Sequence, residues 1–189
     1  MPSQKSKIFI ISGPSGAGED SIIKGLEKYF PSERVITTTT RRRRPGEAQG
    51  KPYYFVTQEE FNEKIKKNKF LEYAQEYNGN LYGVTNEELE RVRGCGKIGI
   101  WKIEYKGVIA AKKLFPEIRS IYIAPPSLEI LKQRIMRRDN VAEAYVKERM
   151  EYTKEWVKHE HIYDFKVVNE EGELQEAIKK VAEIIKKHV

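Results

Sequence analysis

Residues 7–23 read KIFIISGPSGAGEDSII, an apolar run followed by a glycine-rich segment and a second run with helical spacing. The middle segment nearly matches G-x-x-x-x-G-K-[ST], a loop whose backbone N–H groups surround phosphates while its lysine reaches the terminal phosphates and its hydroxyl holds Mg²⁺. Glu19 and Asp20 replace the lysine and the hydroxyl, so the backbone pattern predicts a phosphate site that its acidic side chains oppose. The loop comprises Gly13, Pro14, Ser15, Gly16, Ala17, Gly18, Glu19, Asp20 and Ser21.

The composition predicts one globular domain spanning residues 1–189. Of these residues 39% are hydrophobic and 33% charged, enough for one sizeable core with insertions. No apolar run approaches the roughly 18 residues of a membrane span, and the polar start lacks the hydrophobic segment of a signal peptide. We therefore expect a cytoplasmic protein with no membrane partner.

The formal net charge of +7 is compatible with binding either a polyanion or small phosphorylated ligands. Arginines cluster at residues 41–44 and 134–138, whereas the C-terminal lysines alternate with apolar residues as on a solvated helix face. The sequence has no zinc-finger spacing, RNA-recognition signature or low-complexity basic tail. These patterns favour small phosphorylated ligands, and no nucleic-acid partner is expected.

Strands and helices alternate over most of the chain, which predicts an α/β fold with a parallel sheet covered on both faces. Residues 34–94 interrupt that alternation and predict a β-rich insertion into a core of residues 1–33 and 95–189. Predicted strands cover residues 8–12, 34–39, 53–56, 70–77, 97–104, 118–123 and 165–168, and predicted helices cover 21–29, 57–68, 85–94, 108–114, 127–135, 143–157 and 174–185, with capping boxes at Thr57 and Glu60 and at Thr85 and Glu88.

Several motifs occur in an order that resembles the guanylate kinase family along nearly the whole chain. The resemblance implies a parallel-sheet P-loop kinase core, a GMP-binding insertion and a helical lid at about residues 134–157. It also implies transfer of phosphate from ATP to GMP or dGMP, with Mg²⁺ accompanying ATP. The matching motifs are ISGPSGAG, TTRRRRPGE, YYFVTQEEF, FLEYAQ, LYG, IAPPSLE and VVNE.

Arg41 and Arg44 lie in a loop bounded by proline and glycine. Their planar guanidinium groups suit bidentate binding of a phosphate dianion. The resemblance implies that they hold the GMP phosphate together with Tyr53 and Tyr82.

The resemblance assigns guanine recognition to three residues. Glu72 matches the family's guanine-reading glutamate, Thr37 matches a hydroxyl at the base site, and Glu104 matches an aspartate there, one methylene longer. Val84 stands where the family usually has Ser or Thr, so one base contact is missing unless Thr85 supplies it. Relative to the family, one residue is also inserted in the turn within residues 75–80.

The resemblance places three arginines over the ATP phosphates and one residue near the adenine. Arg134, Arg138 and Arg149 match arginines that close with the lid, and the first two are four residues apart, which gives them one helix face. Asn169 matches the residue near the adenine. Arginines that arrive with the lid suit a reaction that depends on neutralising charge spread over the transferred group.

Residues 102–104 read KIE where the family usually has D-x-D, so the chain exchanges an acid and a lysine between this strand and the loop. Our hypothesis is that Lys102 replaces the missing cation, either by reaching the phosphates or by neutralising Glu19. Lys106 is a weaker candidate for the same role. Asp20 would then coordinate Mg²⁺, since a carboxylate suits a hard cation. The alternative is that both exchanges mark decay of the ATP site.

Three functions remain open at this point. The first is a kinase of GMP or dGMP, and the second is a catalytically inactive module that uses the same cleft to bind GMP or a phosphorylated peptide. The third is a kinase of another small phosphate ester, which the GMP-type insertion disfavours. The sequence does not indicate the oligomeric state.

Overall fold

The computed structural model describes residues 7–75, 79–139 and 143–189, with their side chains except those at positions 138, 139 and 143. In chain order the strands are β1 (Ile8–Ser12), β2 (Ser32–Val35), β3 (Thr37–Thr39), β4 (Ala48–Gln49), β5 (Pro52–Phe55), β6 (Phe70–Gln75), β7 (Leu81–Thr85), β8 (Ile98–Lys102), β9 (Arg119–Ala124) and β10 (Phe165–Val168). The helices are α1 (Glu19–Leu26), α2 (Gln58–Lys66), α3 (Asn86–Gly94), α4 (Tyr105–Leu114), α5 (Leu128–Asp139), α6 (Glu143–Lys158) and α7 (Leu174–Lys187).

The first sheet has the order β10, β9, β1, β8, β2, and its strand pairs are parallel. Every residue of β1 is buried, as expected for a central parallel strand with both faces covered. Apolar side chains of α1 and α7 cover one face, and those of α3 and α4 cover the other. The predicted α/β fold with a parallel core sheet is confirmed.

The loop that follows β1 lies at the carboxyl edge of this sheet, between two neighbouring strands. β8 lies on one side of β1 and β9 on the other, which makes this edge the point where ligands bind in open α/β sheets. Ile11 pairs with Lys102 in the register of β1 and β8. The end of β8 therefore brings Lys102 beside the glycine-rich loop.

The second sheet is mixed and has the order β4, β5, β3, β7, β6. Its strands lie between Thr37 and Thr85, and Phe61 of α2 is buried against Phe70 with ring centroids 4.2 Å apart. β2 instead pairs with β8 in the first sheet, and α3 packs on that sheet. The division into a core and an insertion over about residues 34–94 remains a prediction.

Hydrogen bonds at the helix starts confirm one predicted capping box and correct the other. Thr57 accepts a bond from the Glu60 N–H at 3.1 Å, and the Glu60 carboxylate accepts one from the Thr57 N–H at 2.8 Å. Thr85 likewise accepts from the Glu88 N–H at 3.2 Å. The Glu88 carboxylate, however, accepts a bond from the Ile36 N–H at 2.8 Å, so it ties α3 to the chain between the two sheets.

Other boundaries differ by a few residues. α1 begins at Glu19 instead of residue 21, because Gly18 adopts a left-handed conformation with φ of 102° directly before it. β4 lies within the predicted loop of residues 40–52. β6 ends at Gln75, and positions 76–78 of the predicted strand and turn lie outside the described residues. None of the described helices is long and apolar enough to cross a membrane.

Candidate active site

A cavity of about 640 Å³ opens between the carboxyl edge of the first sheet, the second sheet and α6. One end is the glycine-rich loop with Lys102, and the other is formed by side chains of the second sheet and by Glu104. It brings together most of the residues predicted from the sequence, namely Gly13, Ser15, Gly16, Glu19, Asp20, Thr37, Arg41, Arg44, Tyr53, Glu72, Tyr82, Lys102, Glu104 and Arg149.

A second cavity of about 210 Å³ lies on the other side of the loop, beside the segment that follows β10. Arg134 and Asn169 line it, whereas Arg149 lines the larger cavity. Gly16 borders both cavities, so the loop lies between them. The Arg138 side chain, which was predicted to close over the ATP phosphates, lies outside the part of the chain that the structure describes.

Asn169 fastens the loop from the second cavity. Its Nδ2 donates a hydrogen bond of 2.7 Å to the carbonyl of Ala17, and a Cβ at Gly18 would lie 2.4 Å from the same nitrogen. Only glycine fits at position 18, because the φ of +102° also disfavours a side chain. Oδ1 of Asn169 and Nη1 of Arg134 are buried without a hydrogen-bond partner among the described residues. The small cavity therefore contains a buried acceptor and a buried donor.

Glu19 is buried at the position of the usual loop lysine, with 7% of its surface exposed. Burial raises the pKa of its carboxyl from 4.5 to about 7, even though the Lys102 charge and the backbone N–H groups of Gly18 and Glu19 act in the opposite direction. Near neutral pH the carboxyl therefore exists in both protonated and ionised forms.

The Lys102 ammonium donates to Oδ2 of Asp20 at 2.5 Å, and Arg34 donates to Oδ1 of the same carboxylate at 3.2 Å. Burial lowers the pKa of Lys102, but the charges of Glu19 and Asp20 outweigh it and hold that pKa above its usual value. Partial desolvation by the surrounding loop acts to raise the pKa of Asp20, but the charges and hydrogen bonds of Lys102 and Arg34 outweigh it, so the pKa of Asp20 lies below its usual value. The hydrogen bond of Lys102 is thus to Asp20, one residue beyond the Glu19 of our hypothesis.

These contacts change the electrostatic expectation for the loop. Two isolated carboxylates would repel a phosphate about 4 Å away by about 4 kcal/mol each at an effective dielectric near 20. Asp20 instead has two cations bound to it, Lys102 and Arg34. With Glu19 protonated, the four side chains carry two positive charges and one negative charge. The acidic residues therefore do not make this end of the cavity repel an anion.

At the opposite end, Glu47 holds the two predicted phosphate-binding arginines. Its Oε1 accepts from the Arg41 guanidinium at 2.7 Å, and its Oε2 accepts from the backbone N–H of Arg44 at 2.8 Å. The Arg41 guanidinium also lies 5.2 Å from the ring centroid of Tyr53. The rings of Tyr53 and Tyr82 meet edge to face at 6.0 Å, so the four predicted phosphate ligands border one region.

The two predicted base-reading acids face the same part of the cavity. Burial raises the pKa of Glu72 to about 7, and a backbone hydrogen bond from Val84 opposes the rise. Glu104 accepts a hydrogen bond from the hydroxyl of Tyr152 on α6. Val84 is fully buried, and the Thr85 hydroxyl caps α3 while Thr85 is not among the described residues that line the cavity. The suggestion that Thr85 supplies the missing base contact is therefore not supported.

Three residues that the sequence analysis did not single out take part in these contacts. Glu47 has a sequence signal, because it belongs to the RPGE end of the arginine-rich motif. Arg34 and Tyr152 lie 14 and 48 residues from their partners Asp20 and Glu104. No spacing rule in the sequence would pair residues so far apart.

The donor set for a divalent cation is small. No group of three or more metal-ligating His, Cys, Asp or Glu side chains occurs in the described part of the chain. Mg²⁺ in phosphoryl-transfer sites takes one or two protein carboxylates and completes its shell with phosphate and water oxygens. The Asp20 carboxylate is 65% exposed at the loop end of the cavity, and it would fit this requirement once Lys102 leaves Oδ2, because Lys102 and Arg34 each hold one of its two oxygens here.

Comparisons with known proteins agree with this geometry. A family model described as guanylate kinase matches residues 5–188. A guanylate kinase of Rickettsia felis is 39% identical over 96% of this chain and 93% of its own length. One of Oceanobacillus iheyensis is 38% identical over 98% of this chain and 89% of its own.

A solved structure gives the same result at the level of the fold. The crystal structure of guanylate kinase from Anaplasma phagocytophilum superposes with a TM-score of 0.73 at 26% identity, and the match covers 95% of this chain and 84% of that one. The similarity spans both sheets and the helices between them.

Proposed function

The chain belongs to the guanylate kinase family of phosphotransferases, and from that premise we propose that it transfers the γ-phosphoryl group of ATP to GMP or dGMP. The observation that supports this most strongly is that a single cavity contains the glycine-rich loop with Lys102 at one end and Arg41, Arg44, Tyr53 and Tyr82 at the other. A donor phosphate and an acceptor phosphate could meet between these ends. Phosphoryl transfer requires mainly such positioning and charge neutralisation.

Arg41 and Arg44 bind the acceptor phosphate in this proposal, together with the hydroxyls of Tyr53 and Tyr82. Glu47 fixes the Arg41 guanidinium before the substrate arrives, which reduces the side-chain entropy lost on binding. Glu72, Glu104 and Thr37 read the guanine base. Glu72 must be ionised to accept the N1–H and 2-amino protons of guanine, and because burial raises its pKa to about 7, the ionised form predominates only above pH 7.

Lys102 supplies the cation that the loop lacks. When the phosphates of ATP enter, its ammonium moves from Asp20 to the phosphate oxygens, while Arg34 continues to neutralise Asp20. Mg²⁺ bound by the Asp20 carboxylate would neutralise further phosphate charge. Arg149 acts from the side of α6 in the same cavity, and Arg138 is proposed to act with it.

The small cavity suits the adenine end of ATP. Oδ1 of Asn169 is a buried acceptor without a described partner, which fits an exocyclic amino group, and Arg134 lies beside it. Asn169 also holds the loop carbonyl of Ala17. A base bound to Asn169 would therefore act on the phosphate loop through the hydrogen bond from Asn169 to the Ala17 carbonyl.

The alternative is a module that binds GMP or a phosphorylated peptide without catalysis, and the buried Glu19 at the lysine position favours it. Calorimetry with GMP and with Mg·ATP separately, followed by measurement of ADP and GDP formation, tests both functions. Binding of both nucleotides with stoichiometric formation of ADP and GDP is expected. Binding of GMP without ATP would overturn the kinase and leave the binding module.

A further inference from the structure

The hydrogen bond from Tyr152 to Glu104 joins α6 to the segment between β8 and α4 at the end of the cavity lined by Glu72 and Glu104, which we call the base end. Tyr152 lies on α6, and Glu104 immediately precedes α4 at the end of the segment that leaves β8. The Tyr152 hydroxyl donates to Oε2 of Glu104, and both residues line the cavity. One oxygen of the carboxylate is therefore engaged before any ligand binds.

An aromatic cluster positions the Tyr152 ring. Tyr105, in the first turn of α4, has its ring centroid 6.2 Å from that of Tyr152 and 5.6 Å from that of Trp156. The His159 ring stacks on Tyr105 at 4.5 Å. Tyr105 and Trp156 are both buried, so their contact packs α6 against α4 beside Glu104. This packing holds the Tyr152 ring, and therefore its hydroxyl, in place next to Glu104.

The remaining acceptors of the base end match the Watson–Crick edge of guanine. That edge presents one N1–H and two 2-amino protons, whereas the corresponding edge of hypoxanthine presents the N1–H alone. Glu72 offers two carboxylate oxygens, and while Tyr152 binds Oε2 of Glu104, no described residue forms a hydrogen bond to its Oε1. A Gly107 Cβ would lie 3.5 Å from Oε2 of Glu72, so the first turn of α4 approaches Glu72 as well as Glu104.

We propose that Tyr152 is a specificity-determining positioning residue that orients Glu104 toward the 2-amino group of the acceptor base. Glu104 has one more rotatable bond than an aspartate, and the hydrogen bond from Tyr152 selects one of its orientations. A base with a 2-amino group gains from that orientation, and a base without it does not. This inference rests on the proposed function, in which GMP or dGMP accepts the phosphoryl group, and it identifies Tyr152 as a residue that increases the preference for a base with a 2-amino group.

The test is calorimetric binding of GMP and of IMP, whose base lacks the 2-amino group, to Tyr152→Phe. The affinity for GMP is expected to fall about 10-fold and that for IMP by less than about 3-fold, because a site built to hydrogen-bond a group discriminates through that group. Tyr105→Phe is the matched control, since it removes a hydroxyl from the same aromatic cluster and keeps the ring. It should change neither affinity.

A double-mutant cycle with Glu104→Gln separates orientation from a purely structural effect. If Tyr152 acts through Glu104, the Phe substitution changes GMP affinity by less than about 2-fold in the Glu104→Gln background. Equal losses for GMP and IMP, or a full 10-fold loss that persists in that background, would overturn the inference.

Because binding is the readout, the outcome for Tyr152 is distinguishable from the outcome for the kinase function. GMP binding by the unaltered protein without GDP formation would overturn the kinase function and leave the Tyr152 comparison intact. Intact GDP formation with unchanged GMP preference in Tyr152→Phe would overturn the inference alone. No GMP binding by the unaltered protein would overturn both.

Discussion

The ammonium group of Lys102 lies 2.5 Å from Oδ2 of Asp20, which places a cation from the end of β8 beside a loop that has lost its own lysine. The register between β1 and β8 makes this contact possible, since Ile11 pairs with Lys102 one residue before β1 ends. Arg34 approaches the other oxygen of the same carboxylate. The exchange of acid and lysine therefore leaves a positive group at the loop end of the cavity, where we propose that the ATP phosphates bind.

Replacing Lys102 with Met should lower the rate of ADP and GDP formation by about 100-fold. Removing one preorganised group that stabilises transition-state charge typically costs this much or more. Lys106 also lines the cavity, with its ammonium 6.0 Å from the Tyr105 ring centroid, so Lys106→Met is the informative comparison. Unchanged turnover in Lys102→Met together with loss in Lys106→Met would transfer the role to Lys106.

Replacing Glu19 with Gln should remove a pH dependence of ATP binding. As the pH rises through the Glu19 pKa of about 7, the loop of the unaltered protein gains a negative charge, while Asp20 stays ionised throughout because its pKa is lowered. The KM for ATP should therefore increase between pH 6 and pH 8 in the unaltered protein and stay flat in the variant. A KM that rises equally in both proteins would contradict this account.

The same substitution should alter stability in a pH window set by Glu19. The carboxyl ionises near 4.5 in the unfolded chain and near 7 in the folded one, so over this window the unfolded chain loses a proton that the folded chain keeps. The free energy of unfolding consequently falls as the pH rises from 4.5 to about 7 and then levels off. The free energy of unfolding of Glu19→Gln minus that of the unaltered protein should therefore be about 3 kcal/mol larger at pH 8 than at pH 4. Urea denaturation of both proteins at the two pH values measures this difference.

Glu47→Gln should weaken GMP binding without comparable damage to the fold. The change removes the charge that holds the Arg41 guanidinium at 2.7 Å and weakens the acceptor for the Arg44 N–H. The KM for GMP should rise about 10-fold with a smaller change in kcat, because the lost contact preorganises a substrate ligand. Glu63→Gln, whose pair with Lys67 is solvent-exposed, is the control and should leave KM unchanged. An equal rise of the KM for GMP in both variants would mean that the loss of one negative charge, and not the contact of Glu47 with Arg41, causes the effect.

The backbone pattern of the fold was predictable because it depends on apolar runs and local caps. β1 and β10 have the predicted bounds, and the Thr57 capping box forms as expected. The Glu88 side chain departs from its predicted local bond because a nearby backbone N–H, that of Ile36, competes for it once the two sheets are assembled. Local sequence does not contain that competitor.

The site was predictable to the extent that its residues belong to motifs. Lys102 was expected near the loop, but the sequence does not indicate which acid it contacts. Glu19 is buried and its pKa is raised, whereas Asp20 is exposed and its pKa is lowered. Arg34 and Tyr152 reach the cavity only through the pairing of β2 with β8 and the packing of α6 on α4. Such relationships are set by tertiary packing and leave no periodic signal in the sequence.

Gly18→Ala should destabilise the protein more than Gly172→Ala, although both glycines have positive φ, of 102° and 82°. Backbone strain of about 1–3 kcal/mol is common to both changes. Only the Cβ at position 18 meets another atom, Nδ2 of Asn169 at 2.4 Å, whereas nothing lies within 4 Å of a Cβ at position 172. Asn169→Ala removes that atom and also the bond to the Ala17 carbonyl.

The double variant Gly18→Ala with Asn169→Ala should therefore be less destabilised than the sum of the two single variants, since the clash exists only when both side chains are present. Free energies of unfolding from urea denaturation of the four proteins supply this coupling. A coupling of about 1 kcal/mol or more in this direction would show that Asn169 enforces glycine in the loop. Strict additivity would mean that the loop relaxes away from Asn169, and the proposed link between the adenine end and the phosphate loop would then lose its structural basis.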